Sequence, residues 1–148
     1  IYPMGKSNTL SIPYVCQYIP NKLSNEKKDY FYLICSLFAE ANYNNNKINN
    51  CEKKFYYFGN TCKILFNKSS MSCIENKFKY LIDSDLNSLY IHLSSLIRLC
   101  IKEDICINWN QLIRDIMHWD SEDAYVQERW AKSYWSYKSA KEGDKNDL

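Results

Sequence analysis

The sequence predicts an all-α protein that folds as a compact bundle of about six to eight helices. Only three glycines and three prolines interrupt the 148 residues, so long helices are favoured. Apolar side chains also recur at steps of three and four, the spacing of one helix face. We expect a single domain over residues 1–148, with an irregular start over 1–20 and a frayed tail over 139–148. A chain of this length with 46% hydrophobic residues can form one core but not two.

The first predicted helix begins after Ser24 and runs to about Asn42. The Ser24 hydroxyl can accept a hydrogen bond from a backbone amide of the first turn, which is how serine caps a helix. The predicted inner face consists of Phe31, Ile34, Cys35, Phe38 and Ala41. The stretch "NYNNNKINN", residues 42–50, is predicted to end this helix as a solvated loop, because asparagine side chains compete for backbone hydrogen bonds.

The middle of the chain carries mixed signals and then a clear one. In "KKFYYFGNTCKILF", residues 53–66, the aromatic residues favour a strand and Gly59 interrupts either state, so we expect a short helix after Gly59. Further on, Ser72 and Glu75 have the spacing of a capping box, which opens a helix through residue 82. Asp83 or Ser84 is predicted to cap the next helix, the most clearly amphipathic of the chain. Its apolar residues are Leu86, Leu89, Leu93, Leu96, Ile97 and Cys100.

The last two predicted helices form a hairpin over residues 112–135. Asn108 is expected to cap the first of them. Its inner residues are Leu112, Ile113, Ile116 and Trp119. Asp120 and Ser121 should end that helix and start the last one, whose Val126, Trp130 and Tyr134 or Tyr137 repeat at helical spacing.

The seven cysteines are predicted to be reduced thiols that pack in the core, because their number is odd and Cys35 and Cys100 lie on apolar helix faces. No Cys-x-x-Cys pair occurs, and His92 and His118 are far from each other and from cysteines at zinc-ligand spacing, so no metal or other cofactor is expected. No apolar run reaches the roughly 20 residues that cross a bilayer, and no signal peptide is visible. We therefore expect a soluble cytoplasmic protein without a membrane partner.

The sequence does not predict an enzyme. It has no glycine-rich phosphate loop, no Gly-x-Ser-x-Gly motif and no His-Glu-x-x-His motif. The acidic residues near the hairpin turn, Asp115, Asp120, Glu122 and Asp123, are better explained by capping and the helix dipole than by catalysis. His118 could act as a general base, but a histidine on the surface or at the core boundary is the favoured interpretation.

Charge is distributed unevenly along the chain. Residues 1–82 have a balance of +6 and residues 83–148 a balance of −4, so a polyanion would be bound by patches rather than by a uniformly basic surface. On the last helix Tyr125, Arg129, Lys132 and Ser136 share one face, which is predicted to point outward.

This outward face has two interpretations. It can bind nucleic acid, or it can be a solvated face on which Glu128 pairs with Lys132 and Arg129 is merely hydrated. Trp119 and Trp130 are assigned to the core, whereas Trp135 is left open between stacking on bases and packing.

Five segments, taken in order, resemble one known family. "INWNQLIRDIMHWDSEDAYVQERWAKSYW", Ile107–Trp135, resembles the C-terminal signature of the CasB family, the small subunit of the type I-E CRISPR surveillance complex (Cascade). "KLSNEKKDYFYLICSLFA" is similar to the family's first well-defined helix and Phe58-Gly59 to its Leu-Gly turn. "IENKFKYLIDSD" is similar to its acidic and basic segment with phenylalanine, and "LYIHLSSLIRLC" to its central helix.

The resemblance covers about residues 14–137 and implies an all-α, non-catalytic subunit. Family members pair along the complex, beside the crRNA-bound backbone, and hold the opened DNA. The resemblance therefore implies as partners the backbone and large subunits, a second copy of the chain, crRNA and target DNA. It also implies that the family's initial helix is truncated ahead of Ile1.

The resemblance also implies which residues bind nucleic acid. Lys77 stands where the family usually has arginine before phenylalanine, Arg98 is the basic residue of the central helix, and Arg129 is the arginine of Val-Gln-x-Arg-Trp. Lys63 occupies a commonly basic position, but Asn60 replaces the arginine that often follows the turn glycine. With Lys132 from the outward face of the last helix and Arg114 from the hairpin, the predicted nucleic-acid-binding residues are Lys63, Lys77, Arg98, Arg114, Arg129 and Lys132.

Two other functions remain open from the sequence. A helical protein-interaction module would use the same basic residues only to solvate its surface. A helix-turn-helix transcription regulator is less favoured, because Glu122 and Asp123 would meet DNA phosphates at the start of the last helix.

Overall fold

The computed structural model describes residues 19–43, 47–69 and 72–136. Within these ranges the chain forms six α-helices and no strand, which confirms the all-α prediction. The helices are α1 (Asn25–Asn42), α2 (Phe58–Ser69), α3 (Ser72–Asp83), α4 (Leu89–Lys102), α5 (Trp109–Met117) and α6 (Tyr125–Trp135). The predicted frayed tail and all but the end of the predicted irregular start lie outside the described residues.

Two predicted helix caps are confirmed. The amide of Lys27 donates to the Ser24 hydroxyl oxygen at 3.3 Å, and the amide of Gln111 donates to Oδ1 of Asn108 at 3.1 Å. Each cap satisfies one of the amides that a helix leaves unpaired in its first turn. These caps fix where α1 and α5 begin.

The inner face of α1 differs from the predicted one. Ile34 and Ala41 are buried as expected, whereas Phe31, Cys35 and Phe38 are half-buried. The face that enters the core consists of Tyr30, Leu33, Ile34, Leu37 and Ala41. Tyr30 could not be assigned to it from hydropathy, because its hydroxyl needs a partner, and the fold supplies one at 2.5 Å, the carbonyl oxygen of Leu86.

Gly59 does not interrupt α2, as the sequence had suggested, but lies inside its first turn. A Cβ atom at Gly59 would overlap the carbonyl oxygen of Trp130 and the hydroxyl of Ser133, both on α6. The glycine therefore permits close contact between the backbones of α2 and α6, at a helix-propensity cost of about 1 kcal/mol.

The helix predicted to begin after Asp83 or Ser84 begins at Leu89, so that prediction is wrong. Ser84 is buried, and its carbonyl oxygen accepts a hydrogen bond from Nε1 of Trp119 at 2.8 Å. Asp85 holds the intervening turn, where its carboxylate accepts from the Ser88 amide at 2.8 Å. Because Trp119 uses the carbonyl oxygen of Ser84, α4 begins only at Leu89.

The connection from α5 to α6 is also longer than predicted. Residues His118–Ala124 separate the helices, and Ala124 at the end has a positive φ of 50°. Ser121 is therefore not the cap of α6, and Glu122 and Asp123 are exposed ahead of that helix. Asp120 instead pairs with Lys27 of α1 at 2.9 Å, which joins the hairpin to the first helix.

The asparagine-rich segment ends α1 as predicted, but its end is not a solvated loop. Asn49 donates to the carbonyl oxygen of Ile105 and accepts from the amide of Ile107, each at 3.0 Å. Its own carbonyl oxygen accepts from Nε1 of Trp109 at 2.7 Å. Asn49 thus attaches this segment to the start of α5.

All six helices contribute to one hydrophobic cluster. α6 packs against α2, α3 against α4, and α1 against α5. Trp119 and Trp130 lie at its centre with 2% and 0% exposure, as the sequence predicted, and their ring centroids are 5.0 Å apart. None of the described helices is long and apolar enough to cross a membrane.

Candidate nucleic-acid interface

The six predicted nucleic-acid-binding residues do not form one continuous patch. Lys77 and Arg98 line a groove along α3 and α4. Lys63 lines a separate pocket near the end of α6. Arg114, Arg129 and Lys132 belong to the hairpin, where each has different surroundings.

The groove along α3 and α4, which we call the basic groove, has a volume of about 630 Å³. It is lined by Lys77, Tyr90, Ile91, Ser94, Ser95, Arg98, Leu99 and Lys102. Three of these residues are cations, and no acidic residue lines the groove in the part of the chain that the structure describes. Such a lining gives a local positive charge that the net charge of +2 conceals.

Contacts within the basic groove leave its cations accessible. Nζ of Lys77 donates to the Ser95 hydroxyl at 3.3 Å, which points the ammonium group along α4. Arg98 lies 3.8 Å from a carboxylate oxygen of Glu40, but its side chain is 46% exposed. An exposed pair at this distance is weak, so the guanidinium can exchange partners.

Lys102 is the third cation of the groove, and the sequence did not predict it as a nucleic-acid-binding residue. It is exposed on α4, four residues after Arg98, so both side chains lie on one side of the helix. That spacing is the signal that could have identified it.

Arg129 is half-buried and paired, so the interpretation that it is merely hydrated is wrong, whereas its binding of nucleic acid stays a prediction. Its side chain is 32% exposed, and its Nη2 donates to the buried carboxylate of Asp115. The guanidinium carbon lies 4.3 Å from the ring centre of Tyr57 and 5.5 Å from that of Tyr125. Arg129 is therefore held between α5, α6 and the segment before α2.

Asp115 is the acidic centre of the hairpin. It is 1% exposed and accepts hydrogen bonds from Nε1 of Trp130 and Nε2 of Gln111, each at 2.7 Å, besides the one from Arg129. These three donors hold the carboxylate between the two helices, which differs from the capping and helix-dipole role that the sequence predicted. Its partners could not be read from the sequence, because two of them lie on the other helix.

Lys132 matches the second interpretation of the last helix. Its Nζ pairs with Glu128 at 2.5 Å, in the predicted i, i+4 arrangement, although its side chain is 74% exposed. The hydrogen bond from Lys132 lowers the pKa of Glu128. Arg114 is exposed on α5, and no ion pair engages it among the described residues. His118 is likewise exposed, as the surface interpretation predicted.

Lys63 lies at the second cavity, which we call the aromatic pocket. The pocket has a volume of about 330 Å³ and is lined by Lys63, Phe66, Asn67, Glu75, Tyr134, Trp135 and Ser136. Nζ of Lys63 donates to the carbonyl oxygen of Ser136 at 2.8 Å, which places the cation at the end of α6. Trp135 is 43% exposed at this pocket, so it neither packs fully nor stands free.

Asn60, which stands where the family often has arginine, has a local structural contact. Its Oδ1 accepts from the backbone amide of Tyr57 at 2.9 Å, at the start of α2. Asn60 therefore bonds to the neighbouring backbone, as a short amide side chain at a helix start can.

No group of three histidine, cysteine or acidic side chains could hold a metal ion within the described ranges. The six described cysteines are free thiols. Burial raises the pKa of the Cys100 thiol to about 12, as expected for a cysteine that packs in the core.

The fold is that of CRISPR-associated proteins of known structure. CasB of M. ruber superposes with a TM-score of 0.71 at 22% identity, covering 95% of this chain and 79% of that one. A CRISPR-associated protein of the Cse2 family from Thermus thermophilus superposes with a TM-score of 0.70 at 21% identity, covering 84% of this chain and 73% of that one. No curated protein sequence matches this chain.

The sequence itself identifies the family. The model of the CRISPR-associated protein Cse2 family matches residues 2–135, which is most of the chain. The chain therefore belongs to the Cse2 family, and the resemblance to CasB found in the sequence is confirmed.

Proposed function

We propose that this chain is the small, non-catalytic subunit of a type I-E CRISPR interference complex (Cascade), which acts in the cytoplasm in antiviral defence. It binds the sugar-phosphate backbones of crRNA, target strand and displaced strand, and so stabilises the R-loop. Family membership supports the class of complex. The observation that carries nucleic-acid binding is the basic groove, with three cations and no acidic lining residue among those that the structure describes.

The groove has the chemistry that such a role requires. In guide-directed complexes base pairing reads the sequence, so the protein needs only to hold backbones. Lysine and arginine do this through phosphate contacts. On single strands, each contact steepens the fall of the logarithm of the binding constant with the logarithm of salt concentration by about 0.7. With a net charge of only +2, the isolated chain should bind weakly, and affinity should come from assembly beside other subunits.

The surroundings of the six predicted residues suggest different roles. We propose that Lys77 and Arg98, with Lys102, contact backbones in the basic groove, and that Lys63 contacts a strand at the aromatic pocket. Exposed Arg114 and Lys132 provide further contacts along the hairpin. Nη2 of Arg129 is engaged by the buried carboxylate of Asp115, so we assign Arg129 as a positioning residue that orients the hairpin, and its 32% exposed side chain as a secondary contact for a phosphate.

Charge reversal in the basic groove tests this proposal. Lys77→Glu with Arg98→Glu should leave the fold intact, because both side chains are at the surface, and should lower retention of target DNA by the assembled complex. The matched control reverses two exposed lysines outside the groove, Lys54→Glu with Lys79→Glu. Equal retention by the groove variant and the control, at low and moderate salt, would contradict backbone binding by the groove.

The second candidate is a helical protein-interaction module without a nucleic-acid role. Exposed apolar side chains favour it, since Tyr80 is 62% and Ile91 53% exposed. Co-purification with a tagged chain separates the candidates. Recovery of crRNA with backbone subunits, a large subunit and a second copy of the chain supports Cascade, whereas a single protein partner supports the module.

A further inference from the structure

We infer that the aromatic pocket takes one unstacked nucleobase of a bound single strand, with Lys63 on the phosphate of that nucleotide. This inference rests on the proposed function, since it assumes that a strand passes the end of α6. It adds a contact with a base to a role that otherwise needs only backbones. Three independent features of the pocket support it.

The first feature is a fixed aromatic surface. Trp135 is 43% exposed, whereas Trp109, Trp119 and Trp130 are exposed by 4%, 2% and 0%. Its Nε1 donates to Oε1 of Glu75 at 3.1 Å, and its ring centroid lies 4.9 Å from that of Tyr134. A tryptophan that is held in place yet exposed offers a base a stacking surface at little entropic cost.

The second feature is a buried hydroxyl without a partner. Tyr134 is 6% exposed, and its hydroxyl lies buried without a hydrogen-bond partner among the described residues. Leaving such a group unpaired is costly, so a ligand that bonds to it gains affinity. A tyrosine hydroxyl both donates and accepts, which suits the edge of a base.

The third feature is the set of polar groups at the pocket. Glu75 uses Oε1 for Trp135, so its second oxygen can accept from an exocyclic amino group. Among the described residues Lys63 donates once, to Ser136, which leaves two N–H groups of its ammonium group for a phosphate. The pocket should therefore prefer cytosine, which carries an exocyclic amine, over thymine, which does not.

Tryptophan fluorescence of the full chain at low salt tests the inference. The probes are oligo(dC), oligo(dT) and an abasic backbone of equal length, with oligo(rC) to compare RNA with DNA. We expect the strongest quenching and affinity with a cytosine strand and the weakest with the abasic strand. Trp135→Phe should abolish the quenching while keeping most of the affinity, because a phenyl ring still stacks; the affinities of all variants are measured by the fluorescence anisotropy of labelled strands.

Two variants measure the contribution of each feature. Trp135→Ala should weaken binding of oligo(dC) at least about fivefold, from the stacking of one base. Tyr80→Ala, which removes an exposed aromatic ring outside the pocket, is the matched control and should change nothing. Tyr134→Phe should weaken binding of oligo(dC) but leave resistance to urea unchanged or higher, since it removes a hydroxyl that has no partner among the described residues.

The possible results separate this inference from the proposed function. Equal binding of cytosine and abasic strands, with no loss in Trp135→Ala, overturns the base pocket. If the Lys77 and Arg98 reversal still weakens binding in that case, the proposed function stands without the pocket. If the assembled complex retains DNA equally with or without that reversal, the proposal that the basic groove binds nucleic-acid backbones is wrong. Quenching by oligo(rC) alone supports the pocket and assigns it to RNA.

Discussion

Removing the carboxylate of Asp115 should destabilise the hairpin more than any exposed charge change. Breaking a buried ion pair from one side costs about 3–5 kcal/mol, because the other charge stays behind. Arg129 is 32% exposed, so solvent compensates part of that cost. The indole N–H of Trp130 also loses its acceptor, which for a buried donor costs about 1–3 kcal/mol. Since these costs overlap, Asp115→Ala should lower the free energy of unfolding by about 3–4 kcal/mol.

Urea unfolding of the full chain, followed by tryptophan fluorescence, measures this effect. Asp115→Asn also leaves the Arg129 charge unpaired, but its one oxygen can still accept from either Arg129 or Trp130, so it should lose less, about 2–3 kcal/mol. Glu122→Ala is the matched control, because this exposed carboxylate lies in the neighbouring connection and its loss should stay within about 0.5 kcal/mol. If Asp115→Ala were as stable as Glu122→Ala, the hairpin would not depend on this carboxylate. A double-mutant cycle with Arg129→Ala would then show no coupling.

Three further predictions follow from single contacts. Gly59→Ala should destabilise the chain in the same assay by about 1–3 kcal/mol despite the better helix propensity of alanine, because its Cβ would meet the backbone of Trp130; an unchanged midpoint would show that α2 can shift away. Trp119→Phe should cost about 2–3 kcal/mol, from a lost hydrogen bond and a cavity at the centre of the core; a loss below about 1 kcal/mol would show that the core refills. The hydrogen bond from Lys27 lowers the pKa of Asp120 in the folded state below the ordinary value of 3.8. The pair therefore stabilises the fold fully at pH values above 3.8, and this stabilisation is lost as the pH falls through the lower pKa of the folded state. Asp120→Asn should remove this acid-dependent part, about 0.5 kcal/mol for a pair with 52% exposure at the carboxylate; identical pH profiles of the variant and the unmodified chain would contradict it.

The sequence predicted the parts of the fold that local patterns determine. Ser24 and Asn108 cap their helices because a cap needs only its own side chain and the next turn. Trp119 and Trp130 could be placed in the core because their helical spacing matched their apolar neighbours. The family resemblance came from the same ordered segments.

The errors all arise where a distant contact outweighs a local preference. Gly59 looked like a helix breaker, but its role is to let α6 approach, and that partner lies 71 residues further along the chain. Ser84 looked like a cap, but Trp119 uses its carbonyl oxygen. Lys102 could have been found from its spacing to Arg98, but its proximity to Lys77, which lies on another helix, could not. No window of local sequence contains these pairs.

Arg129 shows how such a distant contact changes a functional assignment. As the arginine of the family signature it was predicted to bind nucleic acid, yet the fold pairs it with Asp115 and stacks it on Tyr57. A guanidinium that is paired with a buried carboxylate has much of its charge neutralised, so it should attract a phosphate less strongly than an unpaired cation does. The cations of the basic groove are less engaged: among the residues that the structure describes, Lys77 donates only to a serine hydroxyl, and Arg98 shares a long, exposed pair. Burial thus distinguishes the two sets of cations, because the signature arginine is held within the hairpin while Arg98 and Lys102 on α4 are exposed and Lys77 on α3 is half-buried.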